Sequence, residues 1–340
     1  MLQIINKPFK ASEWTDITSR FDDLSLMQTW EYGEAVASTS PWKVDRAVFE
    51  NDGVLVGAIQ AVTRKAPLFR GGFAWINRGP LCHVSAGTHP ELLGSMMAET
   101  RSFWAEQRHL YLRIAPPVSK DEWDLAAPGN QGYGAAREGN GWLSSRLDLS
   151  TDLDLIRQSF DKRWRNSLSN AERREVTVRC DSAESFDQFL SLQRGEFALH
   201  SYPTTVTPEF LVRLQNLLPP QRKLLAFVAL SGESLLGAVL IARYGRIGEY
   251  LAAVIEGAGR TANVGQLLIW HAICHLKDFG YRWIDLGGMD PDHTEPGIIN
   301  FKAGLNGQPY QYVGEFDAMD SGWANRVVRW RVRRARRRIA

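Results

Sequence analysis

The stretches GVLVGAIQAV at residues 53–62 and GESLLGAVLI at residues 232–241 share one pattern, which indicates an internal repeat. Each contains a glycine turn, an apolar pair, a Gly-Ala step and an apolar run. The glycine of the Gly-Ala step is Gly57 in the first stretch and Gly237 in the second. Apolar runs bounded by glycine turns are typical of buried strands. The two stretches therefore predict equivalent strands in two copies of one structural unit.

The residues that follow both stretches continue the repeat. In each copy an extended segment, an amphipathic helix and another strand are predicted in that order. The predicted segments are 72–76, 90–107 and 111–114 in the first copy and 248–254, 264–279 and 283–286 in the second. A strand, strand, helix, strand unit that occurs twice predicts the α/β class, with mixed sheets in two like-folded domains related by internal duplication.

The length of the chain and one change in composition locate the domain boundary. At 340 residues the chain is long for one hydrophobic core and suits two domains. Residues 127–141 are rich in Gly, Asn and Ala, and a new strand is predicted at 145–149. We therefore expect an N-terminal domain at 1–146, a C-terminal domain at 147–320 and a basic tail at 321–340.

Composition and motifs argue against several classes of protein. A hydrophobic content of 44% with 23% charged residues is typical of a soluble globular chain and argues against disorder. No run of about 18 apolar residues occurs, so we expect no spanning helix and a cytoplasmic location. Cys82, Cys180 and Cys274 lack zinc or disulfide spacing, which argues against a metal centre. Walker, GxGxxG, GxSxG and HExxH motifs are absent.

The C-terminal segment is strongly basic. Eight arginines and no acidic residue follow Asp320, whereas the whole chain carries a formal net charge of only +2. Such a block is typical of contact with an anionic surface, either a phosphodiester backbone such as tRNA or a bilayer that contains acidic lipid. The second interpretation predicts peripheral contact with the inner face of a membrane. The alternative is a solvated, frayed terminal helix.

WIDLGGMDPDHTEPGIINFKAGLNGQP at residues 283–309 holds the main catalytic candidates. The strand predicted at its start ends at a Gly-Gly pair, which places Asp285 at the carboxyl end of that strand. Apolar residues return around Lys302 after a polar loop. Lys302 and Asp285 are therefore candidate catalytic residues. The alternatives are a solvated lysine and an aspartate that caps the loop.

MQTWEYG at residues 27–33 is a candidate substrate groove. Gln28, Trp30 and Tyr32 alternate along it and offer amide, indole and phenol donors. The alternative is that Trp30 and Tyr32 pack the N-terminus of a helix.

FDKRWRNSLSNAERR at residues 160–174 predicts a basic helix that begins after Ser159. Arg163 and Arg165 belong to its cluster of cations, which could bind phosphate groups of a substrate. The alternative is a solvated face on which acidic neighbours form ion pairs.

RGEFALHSYPTTVTPEF at residues 194–210 offers three further candidates. Arg194 and Tyr202 are candidate substrate contacts, and His200 is a candidate general base or substrate donor. A histidine that only makes hydrogen bonds within a loop is the alternative. Thr207 before a proline predicts a helix N-cap.

RTANVG at residues 260–265 precedes the second predicted helix and is a loose glycine loop. Arg260, Asn263 and Gly265 could hold a pyrophosphate at that helix N-terminus.

The repeat and several motifs together resemble the Fem family of peptidyl-aminoacyl transferases and the related tandem GNAT acyltransferases. The motifs are GPL at 79–81, FDKRWRNSLSNAERREVTV at 160–178, WIDLGG at 283–288 and NFKAGLNG at 300–307. The resemblance covers nearly the whole chain and implies two GNAT-like domains. Classical members take an aminoacyl group from aminoacyl-tRNA and attach it to an amine of a peptidoglycan precursor.

The resemblance also implies roles for individual residues. The lysine of the family's Phe-Lys motif falls on Lys302, preceded by Phe301, and in the family this lysine stabilises the charged tetrahedral intermediate. Tyr250 falls where the family has a site tyrosine, and Arg194 falls near its substrate-contacting arginine. Lys302 is therefore the expected catalytic cation, with Phe301, Tyr250 and Arg194 as substrate contacts.

Two departures from the family leave the acceptor open. Ala35 and Val36 stand where some members carry a basic residue for the precursor's phosphates, and the long helical hairpin of some members has no counterpart. We expect an acyl or aminoacyl transferase that forms an amide on an amine acceptor, either a small molecule or a cell-envelope precursor. No tightly bound cofactor is expected, and the donor is aminoacyl-tRNA or, alternatively, acyl-CoA. A non-enzymatic, membrane-associated protein with degenerate GNAT domains is the remaining alternative.

Overall fold

The computed structural model describes residues 1–66, 71–82, 90–122, 127–135, 141–180, 183–199 and 206–319. His200, Tyr202 and the basic tail at 321–340 lie outside these ranges. The chain divides into two compact units, the first formed by residues 1–142 with the segment from Gln311 onward, and the second by residues 143–310. Each unit contains a seven-stranded sheet.

The strands are numbered in chain order across both units. They are β1 Leu2–Asn6, β2 Lys43–Asn51, β3 Val54–Lys65, β4 Gly72–Asn77, β5 Tyr111–Ala115, β6 Gly134–Ala135, β7 Leu143–Asp148, β8 Thr177–Arg179, β9 Leu225–Ser231, β10 Ser234–Tyr244, β11 Ile247–Ile255, β12 Trp283–Asp285, β13 Gln308–Gln311 and β14 Phe316–Ala318.

The helices are numbered in the same way. They are α1 Ala11–Thr18, α2 Trp30–Thr39, α3 Pro90–Thr100, α4 Ala127–Asn130, α5 Leu153–Ser159, α6 Lys162–Glu172, α7 Ala183–Leu199, α8 Pro208–Leu217, α9 Gly257–Thr261, α10 Val264–Asp278 and α11 Pro296–Ala303. A π-helical segment, Arg101–Gln107, continues α3. Among the described residues, no helix combines the length and the apolar content that a membrane span requires. Thr207 caps α8 as expected, since its hydroxyl accepts from the N–H of Phe210.

The first sheet has the order β1-β2-β3-β4-β5-β14-β6. Its central pair, β4 and β5, is parallel, with Phe73 opposite Tyr111. Parallel neighbours need a crossover connection, and α3 supplies it. Leu93 and Met96 of α3 are buried in the core that covers this sheet.

The C-terminal strand β14 belongs to the first sheet, where it pairs antiparallel with β5. Arg113 donates from Nε and Nη2 to the two carboxylate oxygens of Asp317, at 2.7 and 2.9 Å. The hydroxyl of Tyr111 donates to the same carboxylate. The chain therefore divides at 142/143 and 310/311, and not at the expected 146/147 and 320/321, because a strand near the end of the chain completes the first sheet.

The second sheet has the order β13-β7-β12-β11-β10-β9-β8 and is buried on both faces. Leu225, Phe227 and Ala229 of β9 belong to the core formed with α6 and α10. The alternate residues Ala226 and Val228 are also buried, on the face that α7 covers. Side chains alternate between the faces of a strand, so a sheet buried on both faces lies between two helical layers.

β11 and β12 separate soon after they begin to pair. They are parallel neighbours only over residues 247–249 and 283–285. β11 remains paired with β10 as far as Ile255, apart from a bulge at Leu251. In the described part of the chain, the edge of β11 after Glu249 therefore has no strand beside it.

Gly287 makes this separation possible. Its φ is +70°, a left-handed conformation that residues with a side chain rarely adopt. A Cβ atom at this position would lie 2.7 Å from the carbonyl oxygen of Tyr250 in β11. Glycine is therefore required both by the turn of the backbone and by the close approach of residue 287 to β11.

The two sheets confirm the predicted repeat. β3 and β10 contain the two glycine-turn stretches, and β4 and β11 follow them. In each unit a helix, α3 or α10, then connects two parallel strands. The predicted α/β class, with mixed sheets in two like-folded domains, is confirmed.

Removal of the Asp317 carboxylate should destabilise the first unit. Asp317→Ala leaves the mostly buried Arg113 without its bidentate partner, and we expect a loss of about 3 kcal/mol in the free energy of unfolding. Glu315→Ala is the matched control, because Glu315 is more exposed and lies 3.7 Å from Arg113. Its expected loss is under about 1 kcal/mol. Denaturant titration measures both, and equal losses would contradict this account of β14.

Gly287→Ala should destabilise the second unit more than Gly232→Ala does. Gly232 also has a positive φ of 58°, but a Cβ atom there would have no neighbour within 4 Å. We expect a loss of about 1 kcal/mol at Gly232 from backbone strain alone and at least about 2 kcal/mol at Gly287, where a steric clash is added. Denaturant titration of both variants provides the comparison. Similar losses would show that the contact with Tyr250 does not matter.

Candidate active site

Lys302 lies in the last turn of α11, beside the gap between β11 and β12. Only 6% of the residue is exposed, so the alternative of a solvated lysine does not hold. Its Nζ donates a hydrogen bond of 2.8 Å to the carbonyl oxygen of Gly288 and lies 5.1 Å from the ring centroid of Tyr250. Among the described residues Nζ makes no other hydrogen bond. Two N–H groups of the ammonium are thus available to a ligand.

The surroundings of Lys302 disfavour its charge. Burial lowers the pKa of Lys302 from 10.5 to about 8, although the carboxylates of Asp285 and Glu249 oppose the shift. Burial raises the pKa of the Tyr250 phenol well above its usual value, so this ring is neutral. At neutral pH the amine of Lys302 is therefore still mainly protonated, in a site that solvates it poorly.

Trp164 of α6 holds the end of α11 that carries Lys302. Its indole Nε1 donates to the carbonyl oxygen of Phe301 at 3.1 Å. The N–H of Asp161 donates to the carbonyl oxygen of Gly304 at 2.9 Å. Trp164 was not among the sequence-predicted site residues, although one tryptophan in a basic helix indicates a buried contact.

Asp285 is a bracing residue in this structure and does not offer a free carboxylate. It is fully buried at the end of β12. Its Oδ1 accepts from the Ser144 hydroxyl at 2.7 Å and from the N–H of Gly287 at 2.9 Å. Its Oδ2 accepts from Arg146 Nε at 3.2 Å and from the Tyr310 hydroxyl at 2.5 Å. Four donors already occupy the carboxylate, so the contacts of Asp285 favour the capping role that was the alternative to a catalytic aspartate.

The RTANVG stretch does not form an open glycine loop. Its first residues belong to α9, and the N–H groups of residues 262 and 263 donate to carbonyl oxygens within α9. Asn263 has a φ of +59° between α9 and α10, while Arg260 is exposed. A Cβ atom on Gly265 would lie 3.5 Å from the ring of Phe301. The first turn of α10 is therefore partly covered by α11.

The predicted basic helix exists as α6, but its arginines differ in what they contact. Arg165 donates through Nη1 to the backbone carbonyl oxygens of Gln158, at 2.7 Å, and Phe160. This guanidinium holds the turn before α6. Arg163 is exposed on the same helix, and Arg194 is exposed on α7.

Gln28, Trp30 and Tyr32 belong to the first unit. Gln28 is fully buried, accepts from the N–H of Gln60 at 2.7 Å and donates to the carbonyl oxygens of Gln60 and of the last residue of β4. The guanidinium of Arg46 lies 3.6 Å from the ring centroid of Trp30. Tyr32 is partly buried in the first turn of α2. Gln28 therefore braces two strands, which corrects its expected place in a substrate groove.

Comparison with known proteins agrees with this fold. The family described as acetyltransferase (GNAT) domain matches residues 158–296, which include α6, β11 and α10. Lys302 lies just beyond the matched residues. No curated protein sequence matches the chain.

Three solved structures share the fold over nearly the whole chain. FemX has a TM-score of 0.78 at 15% identity, and the match covers 96% of this chain and 100% of FemX. The C-terminal DUF2156 domain of a candidate lysylphosphatidylglycerol synthetase from Agrobacterium fabrum has a TM-score of 0.57 at 13% identity. The match covers 94% of this chain and 93% of that domain. A tandem GNAT protein from the clavulanic acid biosynthesis pathway has a TM-score of 0.51 at 12% identity. The match covers 94% of this chain and 98% of that protein. The chain therefore shares the fold of these tandem GNAT proteins, and residues 158–296 of its C-terminal unit match the acetyltransferase (GNAT) domain family.

Proposed function

We propose that this protein transfers an aminoacyl group from aminoacyl-tRNA to an amine and forms an amide bond, with Lys302 stabilising the tetrahedral intermediate. The observation that carries the proposal is the buried ammonium of Lys302, which keeps two N–H groups without a partner among the described residues. A preorganised cation in a dry site interacts most strongly with charge that develops during the reaction.

The chemistry needs little more from the protein than position and charge. The neutral acceptor amine attacks the ester carbonyl carbon, a C–N bond forms, and the carbonyl oxygen becomes an oxyanion. Lys302 donates to that oxygen. The C–O bond then breaks, and the amine proton passes to the leaving hydroxyl through the substrate or a water molecule. Asp285 contributes through its field at Lys302 and does not accept the proton, because its oxygens are already bonded.

The free edge of β11 is a suitable place for the donor. No described strand pairs with it after Glu249, so its backbone groups can bind an extended ligand in the way that an added strand would. The bulge at Leu251 changes the direction of the backbone groups there. Tyr250, at the start of this edge, also contacts Lys302. A donor on this edge would therefore bring its carbonyl near the ammonium.

The start of α10 favours aminoacyl-tRNA over acyl-CoA. A pyrophosphate binds a helix N-terminus through free backbone N–H groups and close approach at glycine. Here the preceding turn uses its N–H groups within α9, and the ring of Phe301 lies near Gly265. Both features reduce the room and the donors available to a pyrophosphate.

Acyl-CoA is the second candidate donor. The matched family is one of acetyltransferase domains, and one tandem GNAT protein of the same fold is named with reference to AcCoA. The acceptor in either case is an amine, on a small molecule or on a cell-envelope precursor.

A donor assay with Lys302→Met tests the proposal. The purified protein, incubated with a mixed charged-tRNA pool and an amine acceptor mixture, should deacylate tRNA and form an amide, and labelled acyl-CoA should not be consumed. Lys302→Met should lower kcat/KM by about 10²-fold or more, because it removes an oxyanion donor.

Lys277→Met is the matched control for this assay. Lys277 is also partly buried and donates to a backbone carbonyl oxygen, that of Leu149. It lies in the last turn of α10, whereas α11 with Lys302 lies against the first turn of that helix. Its turnover should equal that of the unmodified protein. Consumption of acyl-CoA alone would replace the proposed donor, and full turnover by Lys302→Met would remove Lys302 from the mechanism.

The lowered pKa of Lys302 also predicts a pH dependence of stability. A pKa of about 8 in the folded state, against 10.5 when solvated, corresponds to about 3 kcal/mol that the buried charge costs at neutral pH. At pH 7 Lys302→Met should therefore be the more stable protein. Loss of the hydrogen bond to Gly288 reduces the gain in the free energy of unfolding.

This difference should shrink as the pH rises from 8 to 10.5. Over that range the folded state binds fewer protons than the unfolded state, so the unmodified protein gains stability relative to the variant. Denaturant titrations of both proteins at several pH values measure the difference. A difference that does not change with pH would contradict the burial of a charged Lys302.

A further inference from the structure

The second unit contains a cavity of about 830 Å³ at the end of its sheet away from Lys302. The start of β9, the turn between β10 and β11 and the C-terminal end of α10 form its walls. Arg246, in that turn, precedes Tyr250 by four residues, which is about 13 Å along a strand. Nothing in the acyl-transfer chemistry uses this cavity.

The charge of the cavity is of one sign. Lys223, Arg243 and Arg246 line it together with His275, and none of the described lining residues is Asp or Glu. Clustered cations without carboxylates are unfavourable unless they face solvent or an anion. The lining therefore favours an anionic ligand.

Two of these cations have N–H donors that no described residue uses. Arg243 is buried and donates from Nε and Nη2 to the carbonyl oxygen of Lys223, at 3.2 and 2.9 Å. Its Nη1 makes no hydrogen bond among the described residues. The backbone of Arg246 accepts from the N–H groups of Arg282 and Trp283, whereas its guanidinium is exposed and has no partner among the described residues. Guanidinium groups with free donors suit phosphate oxygens.

An aromatic surface stands beside these cations. Phe279 is 63% exposed, which is unusual for a large apolar side chain. It stacks on His275 with ring centroids 4.5 Å apart and an interplanar angle of 23°. Phe227 also packs against His275, edge to face, with ring centroids 5.5 Å apart. The outer face of Phe279 is thus a fixed, flat surface on which a planar ring can stack.

We propose that this cavity binds a nucleotide unit, with its phosphate on Arg243 and Arg246 and its base stacked on Phe279. Cations that contact phosphate and an aromatic ring that stacks a base are the usual means of sequence-tolerant nucleotide binding. The volume lies within the range of small-ligand sites. The same chemistry serves a free nucleoside phosphate and a nucleotide within RNA.

Binding of AMP and of uncharged tRNA to the full chain, measured by calorimetry and by anisotropy of labelled RNA, tests the proposal. At least one of the two should bind. Arg246→Glu and Phe279→Ala should each weaken that binding by about tenfold or more. Binding of AMP identifies a free nucleotide as the ligand, and binding of tRNA alone identifies a nucleotide of RNA.

Two matched variants separate a built site from general attraction. Arg20→Glu makes the same charge change on an exposed arginine outside the cavity, and Leu155→Ala removes another exposed apolar side chain. Both should bind as the unmodified protein does, and all four variants should melt normally. The proposal is overturned if Arg20→Glu weakens binding as much as Arg246→Glu, if Phe279→Ala has no effect, or if neither probe binds.

Discussion

The close approach of Gly287 to the carbonyl oxygen of Tyr250 is the constraint on which the candidate site depends. The left-handed φ of Gly287 turns the chain after β12, whose pairing with β11 covers only three residues. The edge of β11 is left free, and the carbonyl oxygen of Gly288 comes within hydrogen-bond distance of Lys302. One backbone conformation, available readily only to glycine, thus ends the strand at the candidate site and places the anchor for the cation.

Several contacts then keep a charged side chain where burial disfavours it. Trp164 holds α11 from one side, and the four donors to Asp285 hold a carboxylate nearby that favours the charged form of Lys302. Replacement of a buried charge by an apolar side chain is often stabilising. The burial of Lys302 is therefore better explained by a function of its charge than by a contribution to folding.

The sequence was sufficient for the repeat, the fold class and the position of Lys302 after a strand, because these depend on local patterns of glycine and apolar residues. It was insufficient for α11, since Pro296 and Gly297 indicate a loop. The partners of Asp285 come from β7 and β13 as well as from Gly287, and no local pattern shows that β7 lies beside β12 and β13 beside β7. The return of β14 to the first sheet was missed for the same reason. Non-local strand order decided the partners of Asp285 and the place of β14.

The second unit contains cations in two different physical settings, and each calls for a different explanation. Lys302 is buried, and its charge lowers the stability of the folded protein. A lysine at this position therefore calls for a role in which the charge is needed. Arg246 is exposed, so its charge does not destabilise the fold. The cluster of Lys223, Arg243 and Arg246 is informative only because it lines the same cavity as the aromatic face of Phe279, and because no described carboxylate lines that cavity. The first setting fits a charge that acts on a transition state, and the second fits a surface that binds an anion already charged in solution.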